Sequence, residues 1–150
     1  KILSIMQYVN PNIIVTFGPS GISGHSDHIA IHKATLSAFE KYSSHNKEST
    51  HLALIYPSMR PELADLYSLE LSPQEKKMDI VVDISQTIDK KITALRNYES
   101  QQDAQEIADQ LSNQTTNEEA HSEQEETFCV SEYTCDEWEH IPVIEYLKNL

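Results

Sequence analysis

The sequence predicts an α/β layer fold in which helices flank a mostly parallel β-sheet. Short apolar runs rich in β-branched residues alternate along the chain with segments of helical periodicity, as expected for parallel strands joined by helices. The chain has 150 residues, of which 39% are hydrophobic. This length supports one domain with a real core and is too short for two comfortable ones.

The first 42 residues predict a helix, a strand and a second helix. Residues 12–17, "NIIVTF", are an uninterrupted apolar run typical of a strand buried on both faces. A loop at 18–24, called here the glycine loop, holds all three glycines of the chain, and a helix of about four turns should run from 27 or 28 to 42. Before them, a helix that ends at Asn10-Pro11 is predicted by the spacing of Ile2, Ile5, Met6 and Val9.

Two further strands are predicted at 51–56, "HLALIY", and at 78–85, "MDIVVDIS". Between them, residues 57–77 contain three prolines and mixed charges, which predicts a long surface excursion. Ser85 is a candidate N-cap for the next helix. The apolar face of that helix would carry Ile88, Ile92 and Leu95 and would be extended by Ile107 and Leu111.

The composition divides the chain into three segments. Residues 1–111 form the α/β domain, and residues 127–150 supply an edge or closing strand and a terminal helix of the same domain. Between them, residues 112–126 hold no large apolar side chain, so they cannot offset their chain entropy by burial. We therefore predict a flexible acidic linker there.

The net charge of −13 is concentrated in the C-terminal third. Residues 1–96 carry ten acids and ten bases, whereas 97–147 carry fourteen acids and no Lys or Arg. This argues against nucleic acid as a partner, because phosphate binding needs clustered cations. A solvated acidic segment is the simpler interpretation, and a basic protein partner is the alternative.

Cysteine usage and hydropathy indicate a cytoplasmic protein. Cys129 and Cys135 are too few for a disulfide framework and lack a zinc-ribbon spacing, which predicts free thiols in a reducing compartment. No apolar run is long enough to span a membrane, and the first residues do not resemble a secretory signal.

The strongest chemical signal directly follows the glycine loop. His25, Asp27 and His28 begin the predicted helix just beyond the carboxyl end of a strand, where α/β sheets bind ligands. Gly24 would let a substrate approach the backbone closely. The loop has neither the G-x-G-x-x-G spacing of a dinucleotide site nor the Gly-Lys-Ser/Thr of a phosphate loop.

These histidines suit either a metal site or a polar helix start. Imidazole is a good zinc ligand, and two histidines in one tight turn favour a division of labour. One would bind metal while the other handles a proton or a developing oxyanion, with Asp27 orienting an imidazole. His28 and His32, four residues apart, form a second conceivable ligand pair. Histidines that merely cap and solvate the helix remain the alternative.

Two blocks of the chain resemble the LmbE-like (PIG-L) zinc-dependent N-deacetylases. "NIIVTFGPSGISGHSDHIAIHKAT" (12–35) is similar to the family's glycine loop followed by G-H-P-D-H-x-x-x-H. "VVDISQTIDKKITALRNYESQ" (81–101) resembles its D-[VI]-S…K…A-L…SQ block, and "ETFCVSEY" its closing strand. The resemblance covers roughly residues 1–133.

The resemblance implies a Rossmann-like α/β fold and a hydrolase that removes an N-acetyl group from an acetamido sugar, typically an N-acetylglucosaminyl compound, by zinc-activated water. By motif position, His28 would bind zinc, and His25 would stabilise the oxyanion or protonate the leaving amine. Asp27 would orient His25. His32 would have a structural role or would contact the metal ligands without binding the metal itself. Arg60, in the excursion, is a candidate substrate contact.

One expected motif is absent. The family's other zinc ligands and its general-base Asp lie in an A-H-P-D-D motif, which these 150 residues lack; Ser26 also replaces the usual Pro. We therefore expect the C-terminal portion of a deacetylase domain, inactive without its N-terminal portion. The metal could be another divalent ion, and the oligomeric state is open. The alternative is a non-catalytic member that binds a sugar or a protein.

Overall fold

The computed structural model describes residues 1–45, 51–114, 124–134 and 137–149. Its strands are β1 (Ile13–Val15), β2 (Ala53–Pro57), β3 (Ile80–Asp83) and β4 (Glu125–Tyr133). Its helices are α1 (Ile2–Val9), the short α2 (Gly21–Gly24), α3 (Ser26–His45), α4 (Pro61–Leu66), α5 (Ile88–Arg96), α6 (Gln102–Gln114) and α7 (Pro142–Lys148), with 3₁₀ turns at Ser85–Thr87 and Trp138–His140. None of the helices in these ranges combines the length and hydropathy needed to cross a membrane.

The four strands form a mixed sheet in the order β1-β2-β4-β3. β1 and β2 are parallel, with Ile14 opposite Leu54, whereas β2 and β4 are antiparallel, with Ile55 opposite Val130. The α/β class is confirmed, but a mostly parallel sheet is not what forms. β4, predicted as an edge or closing strand, lies between β2 and β3. Alternation in a strand reports which of its faces is exposed and carries no information about its neighbours.

The main apolar core lies between the sheet and two helices, α1 and α3. The predicted first helix is confirmed, and it ends at Asn10 in the left-handed conformation, with φ 52°. The Asn10 side chain accepts a 2.8 Å hydrogen bond from the Tyr42 hydroxyl, which ties the two helices together. The fully or nearly buried members of this core are Met6, Ala38, Phe39, Tyr42, Leu52, Leu54, Tyr56 and Cys129.

Two sequence expectations about exposure are wrong. β1 is not buried on both faces, because Val15 is 56% exposed. Residues 57–77 are not simply a surface excursion. They contain α4, and within them Ala64 and Glu75 are buried.

The chain divides into two compact units, residues 1–81 with 127–150, and residues 82–126. The second unit contains the helical pair, α5 and α6, which pack through Ile88, Ile92, Ala108 and Leu111. Ile107 and Leu111 lie on α6, so they do not extend α5 as predicted. Ser85 is not an N-cap either, since the residue at the cap position of α5 is Thr87.

The predicted linker is only partly described. Residues 112–114 complete α6, and residues 125–126 begin β4. Residues 115–123 lie outside the described ranges. Of the two cysteines, Cys129 is a buried free thiol, and Cys135 also lies outside the described residues.

Candidate functional site

The candidate site lies beyond the carboxyl ends of β1 and β2. Because these strands are parallel, their carboxyl ends meet at one edge of the sheet. β1 leads into the glycine loop, and β2 leads into residues 58–60 before α4. Ligands of α/β proteins commonly bind at such an edge.

The glycine loop has an unusual backbone. Gly21 and Gly24 have φ values of 65° and 75°, which glycine adopts without cost. Ile22 also has a positive φ, 65°, with ψ −60°. A β-branched residue in this region costs about 1–3 kcal/mol and persists only where the surroundings impose it. The strained residue lies three positions before His25.

His28 is held by two contacts in the first turns of α3. Its ring stacks on Phe17 at a centroid distance of 3.8 Å, with the planes 5° apart. Its Nδ1 lies 3.1 Å from the carbonyl oxygen of Gly21. Because a carbonyl can only accept, Nδ1 carries a proton, and in the neutral ring this leaves the Nε2 lone pair available. This is the orientation that metal-binding histidines usually have.

His25 is held in the opposite tautomer. Its Nδ1 accepts a hydrogen bond from the backbone N–H of Asp27, at 3.2 Å, so in the neutral ring Nε2 carries the proton. The rings of His25 and His28 are 4.8 Å apart at their centroids, with an interplanar angle of 38°. One ring therefore presents a lone pair and its neighbour presents an N–H donor.

Asp27 contacts His25 through its backbone. The carboxylate accepts a long hydrogen bond from the Ser26 hydroxyl, at 3.5 Å. It also lies in the first turn of α3, where a negative charge is stabilised by the helix dipole. The predicted role of the Asp27 carboxylate in orienting His25 stays a prediction.

The remaining predicted residues lie around this pair. His32 is buried, its Nδ1 lies 3.0 Å from the carbonyl oxygen of Phe17, and its ring meets Tyr56 edge-on. Gly24 is exposed, and a Cβ there would meet no atom within 4 Å, so a ligand could reach this backbone. Arg60 is partly buried, directly before α4.

The described residues do not form a complete metal site. In the described ranges, no three side chains of His, Cys, Asp or Glu are grouped so that they could hold a metal ion. His28 fits the role of one nitrogen ligand, since the tautomer that its contact with Gly21 selects has an unprotonated Nε2. Further ligands would have to come from elsewhere.

Sequence reasoning missed Glu75, which is the most buried acid near the loop. Glu75 is 1% exposed. Its Oε1 accepts a 2.7 Å hydrogen bond from the Ser20 hydroxyl, and its Oε2 accepts from the backbone N–H groups of Ser20 and Ser72 at 3.3 and 3.1 Å. The spacing Ser72-x-x-Glu75 is that of a capping box, a signal readable in the sequence. That signal predicts a local turn but not a contact with a loop 55 residues earlier.

Fold and site together define an α/β protein with two histidines of opposite tautomer at a ligand-binding edge. The curated proteins to which the chain is similar are deacetylases. It is 27% identical over 110 residues to 1D-myo-inositol 2-acetamido-2-deoxy-alpha-D-glucopyranoside deacetylase of Mycobacterium sp. (strain JLS), a match that covers 65% of this chain and 36% of the relative.

The name of a second relative also describes a sugar deacetylase. The chain is 31% identical over 105 residues to the probable N-acetyl-alpha-D-glucosaminyl L-malate deacetylase 2 of Bacillus cereus, covering 69% of this chain and 41% of the relative. The chain thus spans about two fifths of the length of these proteins. No protein-family profile matches it, and no solved structure matches significantly.

Proposed function

We propose that this chain is part of a metal-dependent N-deacetylase that removes the acetyl group from an N-acetylglucosaminyl conjugate. Both relatives are named as deacetylases of an N-acetylglucosaminyl compound. The observation that carries the proposal is the pair of opposite tautomers: His28 presents a lone pair 4.8 Å, between ring centroids, from a ring that presents an N–H. Hydrolysis of an amide at a metal site can use both groups, the lone pair to hold the ion and the N–H to bind the oxyanion or supply a proton.

In this proposal, His28 is one ligand of Zn²⁺ or of another divalent ion that accepts nitrogen donors. Such an ion supplies Lewis-acid activation of the acetamide carbonyl and of water. The Gly21 carbonyl and the Phe17 ring fix the imidazole of His28 so that only Nε2 faces the ligand. The proposal also requires further metal ligands, which the described residues do not supply as a group, and a general base; the family resemblance assigns both to an A-H-P-D-D motif.

His25 is the proposed acid of the reaction. In the neutral ring, which the backbone N–H of Asp27 holds through Nδ1, the Nε2–H donates to the developing oxyanion. Protonation of Nδ1 breaks that bond, and Nε2 of the charged ring then gives its proton to the leaving amine. Gly24 and Arg60 are the proposed contacts of the sugar. His32 positions the backbone of Phe17 through the contact of its Nδ1 with the Phe17 carbonyl oxygen.

Acetate release from N-acetylglucosaminyl conjugates by the complete gene product tests this proposal. His28→Ala should lower the metal affinity and kcat/KM by at least about 100-fold, since a metal ligand is lost. His45→Ala is the matched control, because His45 is exposed at the far end of α3. Full activity of His28→Ala would exclude this role for His28.

The incomplete set of described metal ligands favours one alternative, a non-catalytic module that binds the sugar. Calorimetric titration with an N-acetylglucosaminyl conjugate separates the two functions. Binding without acetate release, in the complete gene product loaded with Zn²⁺, would favour the binding module.

A further inference from the structure

We propose that Glu75 is a positioning residue that fixes the glycine loop and, through it, the ring of His28. The inference rests on the proposed function only for its effect on catalysis. The contacts themselves stand independently, because every group in the argument belongs to the unit that contains residues 1–81.

The surroundings of Glu75 match a carboxylate and no other side chain of its size. All three groups that contact the two carboxylate oxygens are donors: the hydroxyl and N–H of Ser20, and the N–H of Ser72. An ionised carboxylate only accepts, so each contact is satisfied. Hydrogen bonds to an ionised acceptor are stronger than those between neutral groups.

Glu75 also explains why residue 18 is glycine. A Cβ at Gly18 would lie 2.2 Å from Oε1 of Glu75 and 2.5 Å from the next two carbons of that side chain. Gly18 does not need its conformational freedom here, since Gly21 and Gly24 are the glycines of positive φ. The buried carboxylate therefore packs directly on the loop backbone.

Hydrogen bonds and the backbone of residues 20–22 together join Glu75 to His28. The Ser20 hydroxyl donates to Glu75 and accepts from the N–H of Ile22, at 3.2 Å. Gly21, between them, accepts from Nδ1 of His28. The strained backbone of Ile22 keeps this shape only while such contacts hold it. Without Glu75, Ser20 can reorient, and the Gly21 carbonyl can turn away from the imidazole.

Glu75 joins the same loop to the segment that follows β2. Its carbonyl oxygen accepts a 3.0 Å hydrogen bond from the N–H of Met59, the residue before Arg60. Its side chain binds the loop that follows β1. One buried residue thus ties together the two strand ends at which the ligand, the proton donor and the sugar contacts are proposed.

Imidazole ¹⁵N NMR of the metal-free protein tests the inference without reference to activity. In the wild type, His28 should show a protonated Nδ1, as its bond to Gly21 requires. In Glu75→Ala this signal should be lost to a mixture of tautomers, and in Glu75→Gln it should be partly retained. Gln keeps the volume and one acceptor but places an amide NH₂ where an acceptor is needed.

Tyr42→Phe is the matched control for lost stability. It removes a 2.8 Å hydrogen bond in the same unit that has no part in the loop. It should lower the melting temperature and leave the His28 signal unchanged. If Glu75→Ala or Glu75→Gln folds and retains the wild-type His28 signal, the inference is overturned. Should Glu75→Ala fail to fold, Glu75→Gln decides.

Kinetics connects the inference to the proposed function. Glu75→Gln should lower the metal affinity and kcat/KM by about tenfold, the usual loss when a residue behind a metal ligand is changed. In a double-mutant cycle, Ser20→Ala should add little to Glu75→Ala, because both interrupt one path. If the losses in the two single variants simply add in the double variant, Ser20 and Glu75 do not act through one path. A wild type without deacetylase activity would overturn the proposed function alone, since the NMR result does not depend on it.

Discussion

The glycine loop and the helical pair are stabilised by different means. The loop, residues 18–24, is fixed by a buried carboxylate, a serine hydroxyl and three backbone positions of positive φ. The helical pair is fixed by apolar side chains at helical spacing, and the side-chain amide of Gln105 also donates to carbonyl oxygens at the end of α5, those of Leu95, Arg96 and Tyr98.

This difference indicates which region is specialised. Apolar packing tolerates many sequences, provided that volume and pattern are kept. A loop that buries an acid against a glycine and strains an isoleucine serves a particular shape. The candidate site contains the glycine loop. Substitutions in the loop should therefore change the geometry of the site, whereas substitutions in the helical pair should mainly lower stability.

The largest effect is expected in the helical pair. Ile92→Ala removes most of a side chain that is 8% exposed and should destabilise the unit of residues 82–126 by about 3 kcal/mol. Denaturant unfolding measures the loss, and hydrogen exchange locates it. The His28 ¹⁵N signals should stay as in the wild type, and a shift in them would contradict the separation of the two regions.

Alkaline unfolding should report the sheet-containing unit through Cys129. Burial raises the pKa of this thiol from 9.0 to about 11. Between these values the unfolded chain has lost the proton that the folded protein keeps, so stability falls as the pH rises. Cys129 should contribute a fall of about 2 kcal/mol between pH 9 and 11. Tyr42 and Tyr56, whose pKa values are also raised by burial, should add to the fall at high pH.

Cys129→Ala is the control for this pH dependence. The variant loses contacts at every pH, so its slope from pH 9 to 11 is compared with that of the wild type, both in a Cys135→Ser background. An unchanged slope would show that Cys129 is not the group responsible. Residues 82–126 contain no cysteine, so their own unfolding should lack this contribution.

Gly18→Ala tests the packing of Glu75 on the loop and should cost about 2 kcal/mol, the usual range for an overpacked site. The added methyl must displace a side chain that holds three hydrogen bonds. In a Glu75→Ala background the same change should cost much less, because the space is then open. Equal costs in the two backgrounds, measured by urea unfolding, would refute this contact.

The smallest predicted effects, at two glycines of the loop, distinguish backbone strain from steric crowding. Gly24→Ala should cost about 1 kcal/mol, because an alanine at φ 75° is strained but meets no other atom. Gly21→Ala should cost more, since its methyl also lies 3.0 Å from His28 Cβ and from Ile29. It should also perturb the His28 signal, which Gly24→Ala should not. If the two variants behaved alike, crowding at Gly21 would be unimportant.

Several elements were predictable because their signals are local. The spacing of Ile2, Ile5, Met6 and Val9 predicted the first helix, and the Asn10-Pro11 step ends it, although Ile5 and Val9 of the predicted apolar stripe are exposed. β2 follows from a short apolar run and β3 from a β-branched one, and the cluster of His25, Asp27 and His28 stands out by composition. The direction of β4 was not predictable, because strand pairing depends on how distant segments meet.

The sequence by itself determined the α/β class, the strand segments, the helices α1, α3, α5 and α7, and the place in the chain where chemistry is expected, but neither α4 nor a separate α6. Periodicity, glycine content and histidine spacing are local properties, and local backbone preferences express them directly. Only the tertiary structure decided the mixed order of the sheet, the opposite tautomers of His25 and His28, and the burial of Glu75 against Gly18. A proton's position depends on the partner that a ring nitrogen meets, and an acid becomes buried only where the fold supplies its donors.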